Sequence, residues 1–262
     1  MLLKFYKYQG TGNDFILFDN RDNIIDRNND AWVAKICDRH FGIGADGVMF
    51  LENHKDYDFE MIYYNADGKT SSMCGNGGRC MVNFVRMMEP GKNEYRFLAV
   101  DGEHLATINK DIVSLKMQNV ESVISVDDNW QLNTGSPHYV TFESGLDKMD
   151  VKTKGASIRY SDPFMPAGIN VNFLEEKDGK LYIRTYERGV EDETLSCGTG
   201  VTAAAICYVV KKQLGTGTHI IDIETMGGSL KVALTVTSDN RFEDIWLIGP
   251  GEFVFDGLVA YP

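Results

Sequence analysis

Positive charge is scarce in this sequence: 26 lysines and arginines stand against 38 aspartates and glutamates, a formal net charge of −12. Nucleic-acid binding draws its affinity from a basic footprint that releases counterions, and a peripheral membrane tether needs a polybasic cluster. Neither partner class is expected. Long apolar runs are missing too. The longest uncharged stretch, Thr194 to Val210, has 17 residues and opens with the polar Ser196-Cys197-Gly198-Thr199-Gly200, too short and too polar to span a bilayer. At the amino terminus, Lys4 and Lys7 interrupt the sequence before any apolar segment develops, so no signal peptide is expected. Cysteines number only five, an odd count that disfavours a disulfide framework and suits thiols kept reduced in the cytoplasm. There is no Cys-x-x-Cys and no His-Glu-x-x-His, and a structural zinc site usually needs four ligands. No metal and no cofactor are expected.

What remains is ordinary globular composition, 24% charged and 43% hydrophobic over 262 residues. At about 150 residues per domain the length suggests two. Alternating patterns predict strands near Leu3–Phe5, Ile16–Phe18, Val48–Leu51 and Phe59–Tyr64, then at Glu94–Val100, Glu103–Asn109 and Ile112–Met117. Asp30 is placed to cap a short helix through Asp38, and Cys80–Met88 reads as a buried helix ended by Glu89-Pro90-Gly91. Residues 118–129 have no clear period, which sets a domain boundary near 118, with halves 1–118 and 119–262. The second half repeats the first: a strand at Lys180–Tyr186, an apolar helix at Val201–Val209, then strands at His219–Glu224, Leu230–Val236, Ile245–Ile248 and Phe253–Val259.

The repetition extends to motifs. Tyr64-Asn65-Ala66-Asp67-Gly68 precedes Cys74-Gly75-Asn76-Gly77 with 10 residues from tyrosine to cysteine; Tyr186-Glu187-Arg188-Gly189 precedes Cys197-Gly198-Thr199-Gly200 with 11. Cys-Gly-x-Gly thus opens a buried helix twice, the mark of an internal duplication. A thiol at a helix N-terminus faces amides without intrahelical acceptors and the positive end of the dipole, both of which favour its thiolate. An unperturbed thiol is only about 3% ionised at pH 7, and a two-unit drop is worth about 2.7 kcal/mol. The glycines let a bound anion approach the backbone closely. If the halves face one another, one thiolate can remove an α-proton while the opposite thiol delivers a proton to the other face, with the amides holding the carboxylate. Cys37, Cys80 and Cys207 lack this context and read as small buried hydrophobes.

These blocks also carry a resemblance. Gly10-Thr11-Gly12-Asn13-Asp14-Phe15, Asp38–Gly47, Tyr64–Gly68, Met73–Cys80, Gly135-Ser136-Pro137-His138, Gly168–Phe173, and Tyr186–Gly189 followed by Cys197–Gly200 resemble, in order, the blocks of the diaminopimelate epimerase family. The resemblance implies an α/β (α+β) fold of two similar domains, each a mainly antiparallel sheet wrapped on a central helix, with the active site in the cleft between them. In that fold the last strand, about residues 250–262, can return to the first domain. It implies a cytoplasmic, cofactor-independent isomerase, a homodimer, that interconverts LL- and meso-diaminopimelate in lysine and peptidoglycan-precursor synthesis. Cys74 and Cys197 would be base and acid, with His138 and Glu187 tuning them. Gly75, Asn76, Gly198 and Thr199 would hold the reacting carboxylate, Asn13 and Glu187 the reacting amino group, and Asn65, Asn170 and Arg188 the distal end.

Two positions depart from the family. Ser136 stands where an asparagine is frequent, and Gly47 where some members have a substrate-contacting glutamine; both bear on the distal pocket. Gly42-Ile43-Gly44-Ala45-Asp46-Gly47 spells a dinucleotide fingerprint, but its expected flanks are a helix before and a strand after, the reverse of what that motif needs. The acids Glu191-Asp192-Glu193 read as a solvated loop. The alternatives are a racemase or epimerase of another amino acid on the same fold, a thiol redox protein, and a binding protein for zwitterions.

Overall fold

Alternating apolar residues make this a strand-rich chain, and the computed structural model, which describes residues 1–70, 73–239 and 241–262, has four α-helices among seventeen strands. In order these are β1 (Leu2–Gly10), β2 (Asn13–Asp19), α1 (Asp30–Cys37), β3 (Gly47–Glu52), β4 (Phe59–Asn65), α2 (Gly75–Met88), β5 (Glu94–Ala99), β6 (Gly102–Asn109), β7 (Ile112–Lys116), β8 (Ile124–Val126) and β9 (Asn129–Asn133). There follow β10 (Pro137–Phe142), α3 (Val151–Arg159), β11 (Asn170–Lys177), β12 (Lys180–Glu187), β13 (Asp192–Thr194), α4 (Gly198–Lys212), β14 (Gly217–Thr225), β15 (Gly228–Val236), β16 (Phe242–Pro250) and β17 (Glu252–Ala260). Among the described residues no helix is long and apolar enough to cross a membrane.

The chain divides into two compact units, Met1–Leu115 with Gly249–Pro262, and Lys116–Ile248. Each follows one plan. An antiparallel pair (β1–β2; β9–β10) leads to a parallel step across a short helix, β2–α1–β3 with Phe15 opposite Gly47 and β10–α3–β11 with His138 opposite Asn170. A hairpin follows (β3–β4; β11–β12), then a parallel step across the long helix, β4–α2–β5 and β12–α4–β14. Antiparallel hairpins complete each unit. The sheets are therefore mainly antiparallel, with two parallel steps in each unit.

Burial explains the sequence patterns. Val201, Ala203, Ala204, Ala205, Ile206 and Cys207 of α4 are fully enclosed, so that helix is apolar all round rather than striped. Strand β11 is covered on both faces. Leu174 joins the core around α4, while Val171 and Phe173 face a second cluster that includes Val151 of α3. A strand buried on both sides reads as a continuous apolar run and loses its alternation.

Three elements differ from expectation. Helix α2 begins at Gly75, where the Cys-Gly-x-Gly motif opens it and ahead of the apolar stretch that starts at Cys80, because tertiary packing of its buried first turn overrides the low helix propensity of Gly75, Gly77 and Gly78. Helix α1 begins at Asp30 with Asn29 as cap, the Asn29 side chain accepting from the Trp32 amide at 3.2 Å. Helix α3, absent from the sequence reading, carries only Val151 and Gly155 fully inward besides Arg159, a weak apolar stripe.

The carboxy-terminal segment belongs to the first unit for a packing reason. β17 pairs antiparallel with β1, Leu3 opposite Val259. Upstream of it, Gly251 lies directly on α2, where a Cβ would come within 2.5 Å of the Arg79 carbonyl oxygen. Asn83 Nδ2 donates to the Gly251 carbonyl at 2.7 Å, and Trp32 Nε1 to that of Ala260 at 2.9 Å.

Candidate functional site

In the first unit the β1–β2 turn meets the start of α2. Cys74 is the N-cap, held extended (φ −106°, ψ 121°), and its side chain makes no capping bond. The helix is closed instead by the Gly78 amide on the Cys74 carbonyl at 2.8 Å. The first-turn amides, Gly75 and Asn76 included, have no acceptor within the helix, the arrangement that binds anions. Asn13 is oriented by charge. Its Nδ2 donates to the Asp46 carboxylate at 2.6 Å, and because a carboxylate only accepts, Oδ1 turns to the helix. There it accepts from the Cys74 thiol at 3.5 Å and from Asn76 Nδ2 at 3.4 Å. Asp46 is in turn paired with Arg39 at 2.7 Å.

Asn65 ends β4, exposed and opposite Gly47 in register. A Cβ at Gly47 would lie 2.4 Å from the Tyr64 carbonyl oxygen and 2.5 Å from the Tyr63 ring. Tyr63, stacked edge-on to Phe15, therefore occupies the room a side chain at 47 would need. The Gly47 departure and the Tyr63 ring are one packing solution.

In the second unit Cys197 caps α4 in the same way, extended (φ −122°, ψ 111°), without a side-chain cap bond and 8% exposed. Its sulfur lies 3.5 Å from Thr199 Oγ1, which lies 2.9 Å from His138 Nε2. The tautomer of His138 follows from Asn172. Asn172 Nδ2 donates to the Tyr139 carbonyl at 3.0 Å, which fixes the amide, so the same Nδ2, 3.0 Å from His138 Nδ1, donates there as well. The ring proton is then on Nε2 and is given to Thr199, whose hydroxyl proton can be given to Cys197. His138 is fully buried, and that burial, reinforced by the Arg188 charge, pulls its pKa down to about 3. It is a neutral donor at physiological pH.

This has a measurable consequence. Below the ordinary histidine value of 6.5 the unfolded chain takes up a proton that folded His138 refuses, so stability falls as pH drops from about 6.5 towards about 3. The slope is about 1.4 kcal/mol per pH unit at most. His138→Gln is expected to flatten it in denaturant titrations over that range; an unchanged slope would show that His138 is not the group responsible.

Asn170 is buried and makes three hydrogen bonds: Nδ2 donates to Ser136 Oγ at 2.8 Å and the Pro137 carbonyl at 2.9 Å, and Oδ1 accepts from the Arg188 amide at 2.9 Å. Glu187 accepts from Thr194 Oγ1 at 3.0 Å. The acids beyond it are not a solvated loop. Glu191 accepts from Arg159 (3.2 Å), Tyr160 (2.9 Å), Tyr186 (3.0 Å) and the Gly189 amide (3.1 Å); Asp192 pairs with Lys152 and Glu193 with Arg184. Helix α3 supplies Lys152 and Arg159, so the loop's negative charge is met locally.

The other thiols are inert by comparison. Cys37, Cys80 and Cys207 are buried. Burial pushes the Cys37 thiol up to about 12 and also raises those of Cys80 and Cys207. Residues 42–47 do run from a helix into a strand, α1 into β3, so they lack the dinucleotide context. Among the described residues no group of three or more His, Cys, Asp and Glu side chains could hold a metal ion. Sequence reasoning gave no role to Arg79, Thr11 or Asn172. For Asn172 a signal existed, since a second asparagine two residues after Asn170 lies on the same face of a buried strand.

The family model described as diaminopimelate epimerase matches residues 5–123 and 131–252. A diaminopimelate epimerase of Flavobacterium psychrophilum is 53% identical over 98% of this chain and 100% of its own length. One from Chlorobaculum tepidum is 39% identical over 96% and 99%. Among solved structures, a phenazine biosynthesis protein of the PhzF family from Bacillus anthracis superposes with a TM-score of 0.78 at 15% identity, covering 100% of both chains. A hydroxyproline epimerase from Agrobacterium vitis gives 0.66 at 14% identity, covering 98% of this chain and 92% of that one. These two likenesses concern the fold.

Proposed function

Because the chain belongs to the diaminopimelate epimerase family, we propose that it inverts a carbon centre of diaminopimelate without a cofactor, Cys74 and Cys197 exchanging the roles of base and acid. The enzyme is an isomerase, a diaminopimelate epimerase, serving lysine biosynthesis, and its substrate is a small zwitterion. The observation that carries the mechanism is the duplication: each central helix starts with an extended cysteine at its N-cap whose sulfur makes no cap bond. In one direction a thiolate takes the α-proton, leaving an enolate-like carbanion, and the other thiol gives its proton to the opposite face. The enzyme ends with the proton on the other sulfur. Amides of Gly75, Asn76, Gly198 and Thr199 stabilise the charge that develops on the reacting carboxylate. Asn13 and Glu187 take the amino group; Glu187 and His138 tune the thiols, His138 through Thr199.

For the distal end, Arg188 and Asn65 are the contacts. Asn170, with both amide protons committed, holds Ser136 and the Arg188 backbone in place. The reading is tested by proton NMR of LL-diaminopimelate with reduced protein in deuterated buffer and no added cofactor. Loss of the α-proton signal with appearance of the meso isomer is expected; absence of exchange with both thiols confirmed reduced rejects the mechanism.

We propose further a homodimer formed in the cytoplasm. Its support is β17, where Phe253, Val254, Phe255 and Leu258, four large apolar side chains on one strand, remain 45–64% exposed. Light scattering should give twice 29.4 kDa, and Leu258→Arg should lower it; a wild-type mass of one chain refutes the dimer.

A further inference from the structure

Arg79 is a fully buried arginine in the second turn of α2, and no carboxylate among the described residues is paired with it. Its donors go to neutral oxygens: Nε to the Pro250 carbonyl at 3.1 Å, Nη1 to that of Gly75 at 3.3 Å, and Nη2 to Thr11 Oγ1 at 3.2 Å and Asn76 Oδ1 at 3.1 Å. Buried charges are normally paired, because leaving one alone in a low-dielectric interior is costly. A cation kept this way leaves its charge to act on any group nearby that can ionise.

The two halves provide an internal comparison. Five residues after Cys74 stands Arg79; five after Cys197 stands Thr202, also fully buried. Thr202 Oγ1 donates to the Gly198 carbonyl at 3.0 Å, as Arg79 Nη1 does to that of Gly75. The backbone task is the same, and a neutral hydroxyl suffices for it. The guanidinium adds a charge and a reach of three further acceptors.

We propose that Arg79 is the positioning residue of the Cys74 half-site: it fixes the Asn76 amide and the Thr11 hydroxyl, and its unneutralised charge makes Cys74 the more readily ionised of the two reacting thiols. Fixing Asn76 matters because, with Oδ1 on Arg79, its Nδ2 must face Asn13. Most other charges around α2 are in pairs, Glu252 being the exception. On β1 and β2, Lys7 pairs with Asp14, which Arg39 shares with Asp46. On β3, Glu52 pairs with Arg27; ahead of the strand pair, Glu252 of β17 accepts from Gln9; and on β6, Glu103 pairs with Arg96 and His104 with Asp101. Cys80 beside Arg79 is kept protonated by burial. Asn13 Oδ1, accepting from the Cys74 thiol at 3.5 Å, is a neutral dipole that favours the protonated sulfur, whereas the Arg79 charge, which acts on Cys80 and on Cys74, favours the thiolate. Around α4, His138 is neutral, Glu187 is followed by Arg188, and Glu191 and Glu193 are paired with Arg159 and Arg184. On the strands against α4, Glu176 pairs with Lys212, Glu224 with Lys180 and Asp222 with Lys231, while the Glu175 carboxylate accepts from the Gly145 and Leu146 amides and Lys177 lies at the far end of β11.

The proposal rests on Cys74 and Cys197 being the reacting thiols, and its test needs no turnover, so the two can fail separately. Iodoacetamide alkylation is followed against pH for Cys74 in the Cys197→Ser protein and for Cys197 in the Cys74→Ser protein. The Cys74 midpoint is expected at least about one pH unit below that of Cys197, a tenfold difference in thiolate at a given pH. Adding Arg79→Gln should raise the Cys74 midpoint by about a unit or more and leave that of Cys197 in place, with Arg79→Lys in between. A Cys74 midpoint equal to or above that of Cys197, or unmoved by Arg79→Gln, overturns the proposal. Should Arg79→Gln not fold, the comparison of the two thiols and the Arg79→Lys shift decide alone. A purely structural arginine would lower thermal stability without separating the midpoints.

Discussion

Replacing either Cys74 or Cys197 by alanine is expected to lower epimerisation by about 10³-fold or more while the fold persists. The size follows from the proposed chemistry, in which one sulfur takes a proton and the other gives one, a positioned acid or base contributing about 10²–10⁴-fold. Neither helix should be lost. Because neither sulfur caps its helix, alanine removes no cap bond, and the backbone closures Gly78 to Cys74 and Val201 to Cys197 remain. Removing one sulfur atom, half-buried in Cys74 and buried in Cys197, should cost at most on the order of 1 kcal/mol. Thermal midpoints within several degrees of the parent, together with vanished α-proton exchange, are the expected pair of results. Undiminished turnover in either variant would eliminate the two-thiol mechanism; turnover that survives in only one would leave a single base. A redox protein or a zwitterion-binding protein predicts a different pattern, with ligand binding intact and no exchange even in the parent.

How much of this was legible beforehand depends on what each residue does locally. The paired Cys-Gly-x-Gly motifs were plain because a helix start needs a particular backbone, and that need leaves its mark within four residues. The central helix α4 was plain as well, through its unbroken apolar run. Helix α3 was not, since its inward residues are few and one of them is Arg159. Yet the duplication implied it: α1 joins the parallel strands β2 and β3, so the copy required a helix between β10 and β11. The acids at 191–193 were misread for the same reason, since their cations lie on α3 and β12 and no local pattern points to them. Arg79 sits within a quoted motif, but its significance lies in the absence of a carboxylate partner, which only three-dimensional contacts reveal.

Arg188→Lys is expected to raise KM for diaminopimelate by about 10- to 100-fold and to change kcat by no more than about threefold. The turn that carries Arg188 is rigid. The Glu191 amide closes it on the Glu187 carbonyl at 2.9 Å, with Glu191 itself at φ +59°, and the four donors that converge on its carboxylate hold it there. Arg188 is tied through its own amide to Asn170 and through Nη1 to the Ala167 carbonyl at 3.3 Å, which aims the guanidinium without consuming its fork. Lysine retains the charge and loses the bidentate geometry, a change of about 1.5–3 kcal/mol for a hydrogen bond to a charged group. The distal carboxylate lies on the part of the substrate that does not react, so ground state and transition state should lose this energy equally, and the loss appears in KM. Asn170→Ala should move KM the same way, because it releases both the Arg188 amide and Ser136. The charge that depresses His138 persists in the lysine variant, so its acid stability should follow the parent's, separating lost geometry from lost electrostatics. A KM unchanged in Arg188→Lys would remove this residue from the distal pocket and leave Asn65 to define it.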